Sequence, residues 1–148
     1  MTRYSLSNYI LTLTPKDNSI KNIFGSISIG GEGDTLDSIS VNQEGTLFST
    51  TGYSTGGWVH SKSLQRNGTF SISLSQLSDK VVKFIRLCEM FYSKDYDGFD
   101  ITIVSTSENK TVCVGTDCYI ASIPNQSFGS SAANQTWSFT AGKITYSV

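Results

Sequence analysis

QLSDKVVKFIRLCEMFY, residues 76–92, is the stretch that decides the fold. Its apolar residues recur at intervals of three and four, which places them on one side of a helix, with the charged residues mostly on the other side. The apolar stripe consists of Leu77, Val81, Phe84, Ile85, Cys88, Phe91 and Tyr92. A helix of this length is marginal in water by itself, so the stripe predicts a helix that packs on a β surface.

On both sides of this helix, apolar and polar residues alternate, which is the period of a half-buried strand. FGSISI at 24–29 and TFSISL at 69–74 show it before the helix, and FDITI at 99–103 shows it afterwards. The chain of 148 residues is the size of one ordinary domain. We therefore predict a single mainly β domain over 1–148, a sandwich or barrel of two packed antiparallel sheets with one flanking α-helix at about 76–92.

The connections between the strands give more specific expectations. GTLFSTTGYSTGG at 45–57 is uncharged and rich in glycine and threonine, so it is either a mobile arm or a long hairpin whose tip projects. The strands at 58–64 and 69–74 are predicted to pair across Asn67-Gly68, because both residues tolerate positive φ. KDNSIKN at 16–22 is predicted to be a turn or loop.

The carboxyl-terminal part contains two cysteines and a long strand. Cys113 and Cys118 flank VGTD, so they either face each other across a hairpin as a disulfide or are two reduced thiols, which a reducing cytosol favours. The apolar phase changes at Gly142-Lys143, which predicts a bulge or tight turn. The last strand is expected to include Val148, so that the carboxyl terminus is paired.

Charge and hydropathy exclude several classes of protein. The 11 Lys and Arg residues nearly balance the 12 Asp and Glu residues, for a net charge of −1. A nucleic-acid-binding surface normally shows a basic excess. No stretch approaches the ~20 apolar residues of a membrane span, and MTRYSLSNY at 1–9 lacks the apolar core of a signal peptide. We expect a protein made in the cytoplasm, without membrane contact and not exported by the general route.

No motif indicates catalysis or metal binding. The acidic loop GGEGD at 30–34 lacks the glycine spacing of a phosphate loop. Glu32, Asp34 and Asp37 offer oxygen ligands for calcium, but no second ligand cluster and no EF-hand pattern accompany them. His60, the only histidine, lies near serines but without a nucleophile elbow. We therefore expect no catalytic residue, no metal and no cofactor.

Three segments resemble the tail tube (inner tube) proteins of contractile-tailed bacteriophages: residues 24–41, residues 51–80 and residues 135–148. In fold, that family is similar to the inner-tube proteins of type VI secretion systems and contractile bacteriocins. The resemblance implies two packed antiparallel sheets with a flanking helix. It also implies hexameric rings whose inner sheets form one barrel around a lumen, and a long hairpin or loop that reaches the next ring. Residues 45–57 and 124–135 are both candidates for that element.

The resemblance also implies a virion protein, assembled in the host cytoplasm. Its partners would be sister copies in the rings, the tail sheath protein, and baseplate and tail terminator proteins. Tape-measure protein and double-stranded DNA would pass through the lumen without being specifically bound. No basic residue occurs between Lys21 and Lys62, whereas four acidic residues do: Glu32, Asp34, Asp37 and Glu44. Because lysine and arginine bind phosphate, we expect some of these carboxylates to face the lumen, with Ser and Thr as the remaining lining.

A protein of a different class remains as the alternative. A stand-alone β-sandwich module that binds carbohydrate or acts as an adhesin would use exposed aromatic side chains as a platform, namely those of Tyr53, Trp58 and Trp137. Rings or hollow tubes in negative-stain microscopy would favour the tube subunit, and monodisperse monomers would favour the binding module.

Overall fold

In the computed structural model, which describes residues 4–147, a seven-stranded antiparallel sheet curls into a half-barrel around one long helix. The elements in chain order are a 3-10 turn (Leu6–Asn8), β1 (Tyr9–Pro15), α1 (Asn18–Phe24), β2 (Ile27–Gly30), β3 (Leu36–Gln43), β4 (Phe48–Gly52), β5 (Trp58–Lys62), β6 (Gly68–Ser75), α2 (Asp79–Ser93), β7 (Phe99–Ser105), β8 (Lys110–Ile120) and β9 (Asn134–Tyr146). The large sheet has the order β2-β1-β7-β8-β9-β6-β3, and β4 pairs with β5 in a second sheet. The predicted mainly β class with two antiparallel sheets and a flanking helix is confirmed.

The helix α2 begins at Asp79, three residues later than predicted. Ser78 caps it, because the Ser78 Oγ accepts a hydrogen bond from the backbone N–H of Lys80 at 3.3 Å. The buried side of the helix consists of Val81, Phe84, Leu87 and Cys88. The predicted stripe omits Leu87, whereas Leu77 and Tyr92, at its two ends, are each 77% exposed. The middle of the stripe was therefore predicted better than its ends.

Aromatic side chains join α2 to the concave side of the sheet. The ring of Phe84 lies 5.3 Å from that of Trp137 and 5.5 Å from that of Phe139, both on β9. Nearer the end of the helix, Phe91 meets Phe99 of β7 edge-on at 6.0 Å. Phe84, Phe99, Trp137 and Phe139 are fully buried. The helix and the half-barrel therefore share one hydrophobic core.

A second, short helix lies where the sequence predicted only a turn or loop. Asp17 caps α1 by accepting a hydrogen bond from the Ser19 N–H at 2.9 Å, and Ile20 is fully buried beneath it. Gly25, with φ of 62°, ends the helix in a conformation that favours glycine. Seven residues are too few for a clear helical period, so the cap is the only local signal.

The strands β3 to β6 form one long, interrupted hairpin. β3 pairs with β6, and β4 pairs with β5 beyond them, so that the second sheet prolongs the first pair. The predicted pairing of 58–64 with 69–74 is wrong, because β6 lies between β3 and β9 and Asn67-Gly68 is not a hairpin turn. Of the two interpretations of 45–57, the structure supports the long hairpin.

The strand β8 carries both Cys113 and Cys118, so VGTD is not a hairpin turn and the two thiols do not form a disulfide. In the pairing of β7 with β8 the register shifts between Phe99 and Ile101, so that Thr116 and Asp117, the latter with φ of 58°, lie opposite Asp100. Burial raises the pKa of the Cys118 thiol to about 12 and that of the Cys88 thiol to about 11. Both thiols are therefore neutral at physiological pH and poor nucleophiles.

The predicted irregularity at Gly142-Lys143 is present in β9. Ala141 pairs with Gly68, and the Ile144 N–H donates to the Arg66 carbonyl oxygen at 2.8 Å, so Gly142 and Lys143 together oppose Asn67, and Ala141 and Ile144 both face the core. The predicted pairing of Val148 lies outside the described residues. Between residues 4 and 147, no helix has the length and apolar composition that a membrane span requires.

Candidate functional site

One surface of the large sheet carries short, uncharged polar side chains over three adjacent strands. β3, β6 and β9 are in register, so that the residues pointing away from the core form rows across the sheet. The three rows are Ser38–Ser73–Thr136, Ser40–Ser71–Ser138 and Asn42–Thr69–Thr140. None of these nine residues is charged and none is fully buried. We call this surface the polar face.

The alternating sequence of each strand produces the polar face. On β6, Phe70, Ile72 and Leu74 are fully buried, and the residues between them point to the other side. The hydroxyl oxygens of Ser71 and Ser138 lie 3.5 Å apart on neighbouring strands. Side chains this short leave a smooth surface without ionic groups.

The polar face ends at an open sheet edge. β3 is the last strand on its side of the sheet and β2 is the last on the other, so each has one side without a strand partner within residues 4–147. The unpaired N–H and C=O groups of an edge strand are a template for pairing with another chain. The architecture thus offers two edges to which neighbouring copies can add.

Residues 45–64, which contain β4 and β5, form an extension that we call the arm. Every residue of its two strands is exposed. The arm exposes six large apolar side chains: Leu47, Phe48, Tyr53, Trp58, Val59 and Leu64. Thr50 Oγ1 and His60 Nδ1 lie 2.8 Å apart across its strands, so the histidine contacts a threonine and not a serine. A concentration of exposed apolar side chains marks an interaction site.

A short, irregular neck joins the arm to the body. Gly45 has φ of 88°, and the backbone N–H of Glu44 donates to the carbonyl oxygen of Asn67 at 2.9 Å. The Asn67 Oδ1 is buried and has no hydrogen-bond partner among the residues described. An unsatisfied buried acceptor costs about 1–3 kcal/mol, so this oxygen is a local energetic cost within the neck.

The first two predicted acidic residues lie in the loop between β2 and β3. Glu32 is exposed. The side chain of Asp34 is 12% exposed; its Oδ2 accepts from the Gly30 N–H at 2.9 Å and lies 3.9 Å from Lys80 Nζ. Asp34 therefore serves mainly to connect this loop to the start of α2.

The other two predicted acidic residues lie along and beyond β3. Asp37 is exposed, at the bulge where the register shifts between Leu36 and Ser38, beside the polar face. Glu44 is exposed at the neck, and its Oε2 accepts from Asn67 Nδ2 at 3.4 Å. The eight residues of β3 span about 25 Å, so the structure does not bring the four carboxylates into one cluster.

The aromatic platform of the alternative binding module is incomplete. Trp137 is fully buried, because it lies on the side of β9 that faces α2. Its Nε1 donates a hydrogen bond to Gln135 Oε1 at 3.3 Å. Of the three predicted aromatic residues, Tyr53 and Trp58 are exposed, at 55% and 67%, and both belong to the arm. In the described part of the chain, no group of three or more His, Cys, Asp or Glu side chains is arranged to hold a metal ion.

The other candidate for reaching a neighbour, 124–135, comprises most of the loop at 121–133 and the first two residues of β9, and it is anchored to the body. Gln135 Nε2 donates to Gln126 Oε1 at 3.0 Å, and Gln76 N–H donates to the Ala133 carbonyl at 3.0 Å. Phe128, near its middle, is 91% exposed. This loop thus differs from the arm, which projects beyond the end of the sheet.

Comparison with known proteins identifies the fold. No protein-family model and no curated protein matches the chain. A chain of the sheath/tube terminator of PVC, an extracellular contractile injection system, matches with a TM-score of 0.63 and 11% identity, over 100% of this chain and 99% of that one. A chain of the PVC sheath-tube complex matches with a TM-score of 0.58 and 12% identity, over 97% of this chain and 90% of that one.

A chain of the anti-feeding prophage tube-terminating cap matches with a TM-score of 0.54 and 13% identity, over 98% of this chain and 92% of that one. At such identities the similarity shows the fold alone. The matched chains are structural components of contractile injection systems and not enzymes. The fold of this protein is therefore related to that of contractile-tail components.

Proposed function

We propose that this protein is the tube subunit of a contractile tail, in which hexameric rings stack into a hollow tube. The observation that carries the proposal is the polar face, nine short uncharged side chains on three adjacent strands that end at the open edge of β3. Pairing between the edges of neighbouring copies closes a ring and removes the edges. The similarity of fold to tube and terminator chains supports the same assembly.

The chemistry of the polar face suits a channel through which DNA slides. About 6–10 phosphate contacts from Lys or Arg already make binding strong and steeply salt-dependent, and a basic bore would repeat such contacts in every ring. The polar face has no basic residue. Asp37 and Glu44, at the two ends of β3, add negative charge beside it, whereas Glu32 and Asp34 lie in the loop before β3. Tape-measure protein and double-stranded DNA then pass without being held.

The remaining surfaces contact the other parts of the particle. The exposed side of α2, which includes Val82 at 58% exposure, lies on the other side of the sheet from the polar face and is available to the sheath protein. The arm reaches the next ring, and the two ends of the stack meet baseplate and terminator proteins. The subunit is made in the host cytoplasm and becomes part of the tail.

Microscopy of the purified protein tests the assembly. We expect hollow tubes of stacked rings in negative stain. Single rings that do not stack would assign the chain to a terminator, and monodisperse monomers at high concentration would refute the ring.

A charge placed on the polar face tests the channel. In Thr140→Lys tubes the added lysine faces the lumen, so we expect bound short DNA duplexes to be protected from a nuclease that is too large to enter. The logarithm of the affinity for DNA should fall linearly with the logarithm of the salt concentration, with a slope of about −0.9 for each phosphate contacted. Val82→Lys is the matched control, since its lysine lies outside and leaves bound DNA accessible to the nuclease. Equal nuclease sensitivity in the two variants would contradict the assignment of the polar face to the lumen.

A further inference from the structure

The arm needs a covering surface that its own subunit does not supply. Phe48, Trp58 and Lys62 share one side of it, because Phe48 and Lys62 are directly paired and Trp58 has the same phase. Phe48 is 54% exposed and Trp58 is 67% exposed. An isolated two-stranded hairpin is marginally stable in water, so burying these side chains would also stabilise the arm. Lys62 is the only formally charged residue in the arm.

A groove at the start of α2 offers a complementary surface. It lies between the segments 30–35 and 77–80 and exposes Leu77, which is 77% accessible. We call it the Leu77 groove. Its lining has three carboxylates and one ammonium, hence a formal charge of −2: Glu32, Asp34, Asp79 and Lys80. The ammonium lies 3.5 Å from the carboxylate of Asp79 and 3.9 Å from that of Asp34, and within residues 4–147 Glu32 forms no ion pair.

The arm and the Leu77 groove lie at opposite ends of the same hairpin. The groove adjoins the first residue of β3 and the last of β6, whereas the arm continues from the last residue of β3 and the first of β6. The eight residues of β3 hold them about 25 Å apart. A contact between the two is therefore made between copies. Because each copy has one of each, the contact repeats in a line and does not close on itself as a twofold dimer does.

We infer that the arm of each copy docks in the Leu77 groove of a copy in the next ring, with Phe48 and Trp58 covering Leu77 and Lys62 facing Glu32. The inference rests on the proposed function, because it names the contact by which rings stack. Charge complementarity supports this occupant, since the single charge of the arm is positive and the groove is net negative. The rival receptor is the neighbourhood of Phe128, which precedes β9 at the same end of the sheet.

Cysteine cross-linking in assembled particles tests the contact. We combine His60→Cys, on the Lys62 side of the arm, with Thr35→Cys in the groove; both positions are exposed. The three native cysteines are buried, and burial raises the pKa of each thiol, so they do not react. We expect oxidation to give a ladder of covalent oligomers on a non-reducing gel. The matched control combines His60→Cys with Glu108→Cys, in the turn between β7 and β8, and should give no ladder.

The outcomes separate the inference from the proposed function. Tubes that give no ladder with the His60→Cys and Thr35→Cys pair would overturn the inference and leave the tube subunit intact. A ladder obtained only when Phe128→Cys replaces Thr35→Cys would overturn it as well. Failure of the unmodified protein to form rings or tubes would overturn both.

A charge exchange tests the electrostatic part of the contact. Lys62→Glu should raise the protein concentration needed for tube assembly about threefold, the scale of one accessible ion pair. Adding Glu32→Lys to the same chain should restore assembly. If the double variant assembles no better than Lys62→Glu alone, Lys62 does not face Glu32.

Discussion

Replacing Phe84 by alanine tests whether α2 and the curled sheet form one core. The ring is fully buried and lies 5.3 Å from Trp137 and 5.5 Å from Phe139. Its removal leaves a cavity lined by aromatic rings, which water does not occupy favourably because it finds no polar partners there. The helix then loses its central contact with β9.

The expected loss follows from the size of the deleted group. Truncating a buried Phe to Ala costs about 3–5 kcal/mol, through the lost transfer of the ring from water and the cavity that remains. This is a large part of the about 5–15 kcal/mol that stabilises a typical domain. For a chain near 150 residues, each kcal/mol lowers Tm by roughly 2–4 °C, so we expect a fall of about 6–20 °C.

Urea unfolding of the unassembled protein, followed by circular dichroism, measures the effect. Val82→Ala is the control, because Val82 lies on the same helix at 58% exposure and should change the unfolding free energy by less than about 0.5 kcal/mol. If Phe84→Ala does not fold, Phe84→Leu keeps most of the volume and should lose about half as much. A loss below about 1 kcal/mol for Phe84→Ala would show that the helix does not depend on the sheet.

Three further predictions concern stability. Gly115→Ala would place a methyl group against the Phe70 ring, 2.9 Å from its Cζ, and should lower the urea unfolding free energy by about 1–3 kcal/mol; a value equal to that of Gly129→Ala, whose methyl group would meet only the Ser131 carbonyl oxygen at 4.0 Å, would contradict this packing. Thermal stability should fall as the pH rises from 9 towards 12, because the unfolded Cys118 thiol ionises near 9.0 while burial keeps the folded pKa at about 12. In Cys118→Ala, the Tm should fall less steeply with pH over this range. A Tm that falls equally steeply in both proteins would refute the assignment of this fall to Cys118. Replacing the arm, residues 45–64, by Asn-Gly should change the Tm of the body by less than about 2 °C, since both strands of the arm are exposed; a larger drop would show that the arm stabilises its own subunit.

The elements that were predictable from sequence are those with long, regular periods. The alternation of β6 and the three-and-four spacing of α2 each recur often enough to identify the element. The arm shows no apolar alternation, because both of its sides are exposed, and its pairing depends on β3 and β6 beyond it. Cys113 and Cys118, five residues apart, would face opposite sides of a regular strand; the bulge at Asp117 turns both inward.

The polar face could be predicted strand by strand but not as one surface. Ser40, Ser71 and Ser138 are far apart in the chain, and only the sheet order places them in one row. The acidic residues illustrate the opposite case. Asp34 and Glu44 are only ten positions apart in the sequence, but the extended backbone of β3 lies between them and carries them to opposite ends of that strand.

The neck between the arm and the body has a consequence for how such chains diversify. One residue added to each strand just beyond Gly45 would turn the arm over, so that Ser49 and Ser61 would occupy the side now held by Phe48 and Trp58. Two residues added to each strand would restore the original side and move the tip outward by about 7 Å. The arm is thus an adjustable spacer whose length changes in even steps. Its length can set the repeat distance between neighbouring molecules while every buried side chain stays in place.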